Sequence, residues 1–177
     1  MQQNKKALYL AQTAVIAALY AAITLAVMTL VPIPGLNHGP IQFRVSEALT
    51  MLAVFTPAAI PGLAIGAFLA NLLGPYGPPD MIFGTLASLL AALCSYWLRN
   101  IQWKKLPILS GIPPVLFNAV IIGAMIAYFF MDTFAWQNVL LFGAQVGLGQ
   151  LVVVYGLGLP LVVALRKTKL FHDPLAK

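Results

Sequence analysis

Clusters of charge divide this chain into long apolar runs, and no other feature limits its fold as much. Lys5 and Lys6 precede a run from Leu8 to Val31 that holds no charged residue. Further uncharged runs lie between Glu47 and Asp80, Asp80 and Arg99, Lys105 and Asp132, and Asp132 and Arg166. A helix needs about 20 apolar residues to cross the hydrocarbon core of a bilayer. Hydrophobic residues make up 61% of the sequence and charged ones 8%, against about a quarter charged in a soluble domain. A soluble chain of this kind has too few polar groups to cover its surface, whereas side chains that face lipid need no such cover. Strand-like alternation is missing. The expected class is an all-α polytopic membrane protein with a single membrane-embedded domain over residues 1–177.

The spans are expected at about Leu8–Val31, Gln42–Phe55, Ile60–Gly74, Met81–Leu98, Ile112–Met131 and Trp136–Leu165. The second and third could equally be one long span kinked at Pro57 and Pro61, and charge decides between the two. With a turn at Thr56–Gly62, the clusters Lys5/Lys6, Arg99/Lys104/Lys105 and Arg166/Lys167/Lys169 share one side, with Asp80 and Asp132 on the other. With one kinked span, two basic clusters move outside, against the tendency of lysine and arginine to stay in the cytoplasm. Six transmembrane helices with both termini cytoplasmic follow. Lys5 and Lys6 before an apolar run resemble a signal peptide, but the run is too long for one and is read as a retained first span. The last span is rich in glycine (Gly143, Gly147, Gly149, Gly156, Gly158), which predicts a bend or tilt. The tail Lys167–Lys177 is polar.

Charge inside a bilayer is costly, so each buried ionisable residue is a candidate for function. Arg44 and Glu47 fall near the outer end of the second span and Asn71 near that of the third. Asp80 is expected to cap the fourth. Asn118 lies near the middle of the fifth, and Gln145 about 14 Å from the outer end of the sixth. Gln150 lies deeper in that span. Polar groups from five spans thus share the outer half, as an outward-facing solute pocket requires. Duller roles exist for each. Arg44 and Glu47 can neutralise one another at i,i+3, and the amides can hydrogen-bond between helices.

Small residues form two ridges: Ala14, Ala18 and Ala22 in the first span, with Ala17 and Ala21 alongside, and Ala58, Gly62, Gly66 and Ala70 in the third. Such ridges serve internal packing or docking on another membrane protein. No P-loop, H-E-x-x-H or G-x-S-x-G motif occurs. Cys94 is alone, and His38 and His172 lie outside the spans, so neither an enzyme, a resident metal nor a cofactor is expected.

The blocks Gln42-Phe43-Arg44-Val45-Ser46-Glu47-Ala48-Leu49, Pro61-Gly62 to Asn71-Leu72-Leu73, Asp80-x-x-Phe83-Gly84-Thr85-Leu86 and Pro114-x-x-Phe117-Asn118 resemble the QueT family. Its members are the substrate-binding S components of energy-coupling factor (ECF) transporters for queuosine precursors. The resemblance implies an S component of six helices in the cell membrane that captures a 7-deazaguanine base from outside. It implies as partners one ECF transmembrane subunit and two ATPase subunits, with transport by toppling of the S component. It casts Ala14, Ala18 and Ala22 as the docking ridge.

A guanine-like edge offers N–H donors beside a carbonyl. A carboxylate can accept two of these donors in a bidentate pair, and an amide or arginine can donate to the carbonyl. Glu47 is the first choice for that carboxylate and Asp80 the second. Asn71, Asn118 and Gln145 complete the edge, and Arg44 aims Glu47 or faces the base itself. Phe43, Tyr76, Phe134 and Trp136 are candidates to stack on the ring, although anchoring at the membrane interface is the stronger expectation for Trp136. Gln150 stands where the resemblance leads one to expect an acid, and a neutral amide there favours a neutral base. The loop Pro32–Pro40 is a candidate lid. The competing readings are an S component for another vitamin or nucleobase and a structural subunit of a membrane complex.

Overall fold

The computed structural model describes residues 2–30 and 43–168. The candidate lid Pro32–Pro40, the expected span boundaries at Val31 and Gln42, and the tail from Lys169 lie outside the described residues. Within them the chain is all-helical, with six helices, four of which are long and apolar enough to cross a bilayer. Helix α1 (Gln2–Leu30) has 29 residues and is about 43 Å long at 1.5 Å per residue. A 3-10 helix (Val45–Val54) follows, then α2 (Ala59–Leu72), α3 (Gly77–Leu98), α4 (Ile108–Phe129) and α5 (Trp136–Lys167).

The ambiguous second run turns back on itself, as charge required. Pro57 cannot continue a helix. The Thr56 hydroxyl accepts from the Ala58 N–H at 3.3 Å and donates to Gln12 Oε1 at 2.9 Å, which fixes the reversal against α1. Pro61 falls in the first turn of α2, where its missing N–H has no intrahelical partner to lose. The segment before the turn is not α-helical. Ten residues at about 2.0 Å each reach about 20 Å, a third farther than an α-helix of that length. Helix α3 begins earlier than expected, at Gly77 (φ +71°), with Pro78 and Pro79 in its first turn. Asp80 therefore sits inside the helix and does not cap it. Its carboxylate is used elsewhere.

Contacts fix the direction of each helix. Along α1 and α2, Gly62 meets Thr13 and Ile16 while Gly66 meets Ala17 and Tyr20, so the two run parallel. A Cβ at Gly66 would lie 2.8 Å from the Ala17 carbonyl oxygen, a seam that only glycine permits. Along α1 and the segment that runs through the 3-10 helix to its turn, Thr24 meets Ser46, Tyr20 meets Glu47 and Gln12 meets Thr56, so these are antiparallel. Helices α4 and α5 cross antiparallel through Gly123 on Gly143 and Ala119 on Gly147. One end of the bundle thus gathers Lys5, Lys6, Arg99, Lys104, Lys105, Arg166 and Lys167. The other holds Arg44, Glu47, Asp80 and Asp132.

The last span, where a bend or tilt was expected, contains a π turn at Val154–Gly158, and Gly158 lets α5 approach Met51 and the Ala48 carbonyl. A second π turn, Asn118–Ile122, interrupts α4. Two apolar clusters fill the interior. One joins α1, the 3-10 helix, α2 and the second half of α5. The other joins Ala87, Ile122, Met125 and Val146. The outward surface is apolar too, with Leu10, Leu73, Trp97, Leu140 and Leu148 exposed. Lipid is the solvent that accommodates such a surface.

Candidate functional site

The 3-10 geometry decides what the acidic end looks like. Side chains three apart eclipse one another in such a helix, so Arg44, Glu47 and Thr50 fall on one face. That face meets α1, α2 and α3. Arg44 uses Nη2 twice, toward Asn71 Oδ1 of α2 and toward Asp80 Oδ2 of α3 at 2.8 Å. Asn71 Nδ2 in turn donates to the Asp80 carbonyl at 2.9 Å. Gly84 lies one turn below Asp80, where a Cβ would come within 2.5 Å of Asn71 Nδ2 and 3.1 Å of Asp80 Oδ1.

Glu47 is fully buried at 0% exposure. Three hydroxyls surround it. Tyr20 and Ser88 donate to Oε1, the latter at 3.1 Å, and Thr50 donates to Oε2 at 3.0 Å. Thr24 adds a second tie between α1 and the 3-10 helix through Ser46 Oγ at 2.7 Å. The expected Arg44–Glu47 pair is thus split between partners. The arginine goes to Asp80 and the glutamate to neutral groups. Because Oε1 already accepts twice, Glu47 offers less than the bidentate pair expected of it.

The structure brings Arg44, Glu47, Asn71 and Asp80 together. Asn118 is buried on α4 and donates Nδ2 to the Pro114 carbonyl at 2.9 Å. The side-chain oxygens of Gln145 and Gln150 on α5 are buried and accept no hydrogen bond from the described residues. Gln150, at 2% exposure, lies on the inward face of α5 between Val146 of one apolar cluster and Val153 and Val154 of the other. Phe43 lines a groove of about 250 Å³ with Val45, Val152, Val153, Gly156 and Leu157. Tyr76 packs edge-on against Phe130 with ring centres 6.1 Å apart, and burial and the Asp80 carboxylate push its phenol up from the ordinary value. Trp136 is 74% exposed and edge-on to Phe134 at 5.4 Å, at the start of α5. Ala14, Ala18 and Ala22 form an exposed stripe on α1, opposite the buried Thr13, Ile16, Ala17, Tyr20 and Thr24.

Sequence reasoning missed Tyr20, Thr50 and Ser88. Tyr20 carries a signal of its own, since a buried tyrosine needs a partner for its hydroxyl. Ser88 lies two turns below Asp80 on α3 and so shares its face. Thr50 is legible only once the 3-10 spacing is known.

A lipid-facing helical bundle with an ionic and hydroxyl-lined cluster toward one end is the build of a multi-pass membrane protein that handles a polar solute. The QueT transporter family matches residues 10–167. The chain belongs to that family and is a multi-pass protein of a prokaryotic membrane. It is similar to the queuosine precursor transporter QueT of Lactococcus lactis subsp. cremoris (strain MG1363), at 39% identity over 80 residues. That match covers 44% of this chain and 43% of the relative. No solved structure matches.

Proposed function

We propose that the chain is the substrate-capturing subunit of an importer for queuosine precursors, 7-deazaguanine bases taken from outside the cell. In this reading all six helices cross the membrane and both termini are cytoplasmic, since the basic end of the bundle then obeys the positive-inside tendency. The observation that carries the reading is the convergence of Arg44, Glu47, Asn71 and Asp80 from three elements at the opposite end. Asn118 and Gln145 extend the polar set toward α4 and α5, and Phe43 and Tyr76 supply ring faces.

Energy comes from other chains, an ECF transmembrane subunit and two ATPases. The exposed stripe Ala14, Ala18 and Ala22 docks on the membrane partner, because small side chains let helix backbones approach closely. The test is mass spectrometry of small molecules retained by the purified chain, followed by titration with 7-deazaguanines. Retention of one base per chain is expected. A chain that retains none and binds none in titration sinks the reading and leaves a structural subunit. Retention of an unrelated vitamin moves it to another S-component specificity.

A further inference from the structure

The basic end of the bundle holds a second cluster, which capture of a base does not use. Arg99, Lys104 and Lys105 lie between α3 and α4, while Arg166 and Lys167 close α5. Among the described residues the carboxylates are Glu47, Asp80 and Asp132, and all three lie at the other end. These five cations therefore have no carboxylate among the described residues at their own end.

Local geometry builds them into one surface. Trp103 and Leu106 exchange N–H···O bonds of 3.0 and 2.9 Å, which closes a two-residue turn with Lys104 at φ +50° and Lys105 at φ +64°. Asn-Gly is the usual occupant of such a turn, because the left-handed conformation is disfavoured for residues with a larger side chain. Two lysines at its tip are a strained choice for a turn alone. The Lys105 carbonyl accepts from Arg166 Nη1, which ties the turn to the end of α5. Lys104 Nζ lies 4.9 Å from the Trp103 ring centre. The Arg99 guanidinium stacks on the Tyr96 ring at 3.5 Å, and its Nε and Nη1 meet no acceptor among the described residues. A guanidinium held by its face, with N–H groups unclaimed at its edge, is suited to an oxyanion such as phosphate.

Two tryptophans fix the depth of the cluster. Trp97 is 67% exposed and Trp103 60%, one on each side of Arg99 in the chain. Exposed tryptophans at the end of a membrane helix sit at the headgroup layer. Lipid phosphates lie in that layer, and basic pockets between helix ends recognise anionic headgroups. Indoles beside the cations favour a lipid over a soluble acidic partner, because the ring is placed where one side is apolar and the other wet.

We propose that the turn between α3 and α4, with Arg99 and Arg166 beside it, binds the headgroup of one anionic phospholipid. The phosphate takes N–H groups of Arg99, and Lys104 and Lys105 add countercharge. Such a site needs only that the chain sits in a bilayer, and so stands apart from the transporter reading.

The experiment is native mass spectrometry of the full chain released from nanodiscs of equal parts phosphatidylglycerol and phosphatidylcholine with the same acyl chains. One phosphatidylglycerol per chain is expected, retained at least about fivefold over phosphatidylcholine, the factor that a single cation near an anionic lipid layer supplies. Arg99→Gln is expected to remove most of that bias. Lys104→Asn/Lys105→Gly is expected to do the same while raising the unfolding temperature, because Asn-Gly suits the turn. Lys5→Gln/Lys6→Gln, at the same end but on α1, should leave the bias in place. Equal retention of the two lipids overturns the proposal, and that comparison needs only the unmodified chain. A bias that the Lys5/Lys6 variant lowers as much as the turn variant also overturns it, since the cause is then a diffuse field of charge. Displacement of the lipid by millimolar inorganic phosphate overturns it in favour of a free anion. If the Arg99 and turn variants keep the lipid bias and lose assembly with other subunits, the proposal fails and the cations serve an acidic protein surface.

Discussion

Ser88 donates its hydroxyl to Glu47 Oε1 at 3.1 Å from the same helix face that presents Asp80 to Arg44. Glu47 of the 3-10 helix and Arg44, which precedes it, are thus read by two residues of α3; the α3 pair lies eight positions apart and the other pair three. At about 1.5 and 2.0 Å per residue these separations are about 12 and 6 Å, so the side chains splay to meet. The space between them is held by Gly84. A Gly84→Leu variant is expected to displace Asn71 and Asp80, because even a Cβ there comes within 2.5 Å of Asn71 Nδ2. The expected cost is roughly 1–3 kcal/mol of stability, the usual range for overpacking. Thermal unfolding in detergent checks it, and ligand retention should fall in parallel.

Tyr20→Phe removes one donor to Glu47 and keeps the ring in its seam against Gly66. Loss of a hydrogen bond to a charged group costs roughly 1.5–3 kcal/mol. The variant should fold, unfold at a lower temperature, and bind ligand more weakly because Glu47 loses its tether to α1. A variant with wild-type stability and affinity would remove Tyr20 from the site.

Much of this arrangement can be read in the sequence, and the parts that cannot have a physical reason. Apolar runs and the order of charges give the helix count and the reversal at Pro57, since both depend on composition and on proline's missing N–H. Arg44, Glu47, Asn71 and Asp80 stand out because ionisable groups and amides are rare in such runs. Their pairing does not follow from spacing. Read at α-helical pitch, Arg44 and Glu47 make an intrahelical pair, and only the 3-10 pitch turns both toward α3. The π turn at Asn118–Ile122 is equally silent, because one extra residue in a helical turn leaves no mark on hydropathy.

The Arg44–Asp80 pair should behave as a buried ion pair. Asp80→Asn or Arg44→Met alone leaves a charge without its partner, which costs roughly 3–5 kcal/mol. The double variant Arg44→Met/Asp80→Leu removes both charges and should recover much of that loss in unfolding experiments. It should still fail to bind ligand. Recovery of binding would mean that the pair only props the fold.

Glycines on α4 and α5 should differ sharply in their tolerance of a methyl group. On its partner α4, Gly123 faces Gly143, and a Cβ on Gly123 would lie 2.5 Å from the Gly143 Cα. Gly123→Ala must push the helices apart, at an expected cost of roughly 1–3 kcal/mol. Gly156, in the π turn, has no atom of the described residues within 4 Å of its would-be Cβ. Gly156→Ala is expected to change the unfolding temperature little. The pair of variants compared side by side separates crowding from any general loss of backbone freedom.

The last prediction concerns the stripe on α1. Ala14, Ala18 and Ala22 are exposed, while the buried face of the same helix carries Tyr20 and Thr24 to the 3-10 segment. Ala18→Leu adds bulk on the exposed face alone, so ligand affinity and unfolding temperature of the isolated chain should stay at wild-type values. If the proposed docking on an ECF transmembrane subunit holds, co-purification with such a subunit should fall by about tenfold or more, since close helix contact needs small residues. Uptake of labelled substrate into cells should fall with it. If Ala18→Leu assembles and transports normally, the docking face lies elsewhere on the bundle, and the stripe serves only to keep α1 slender in lipid.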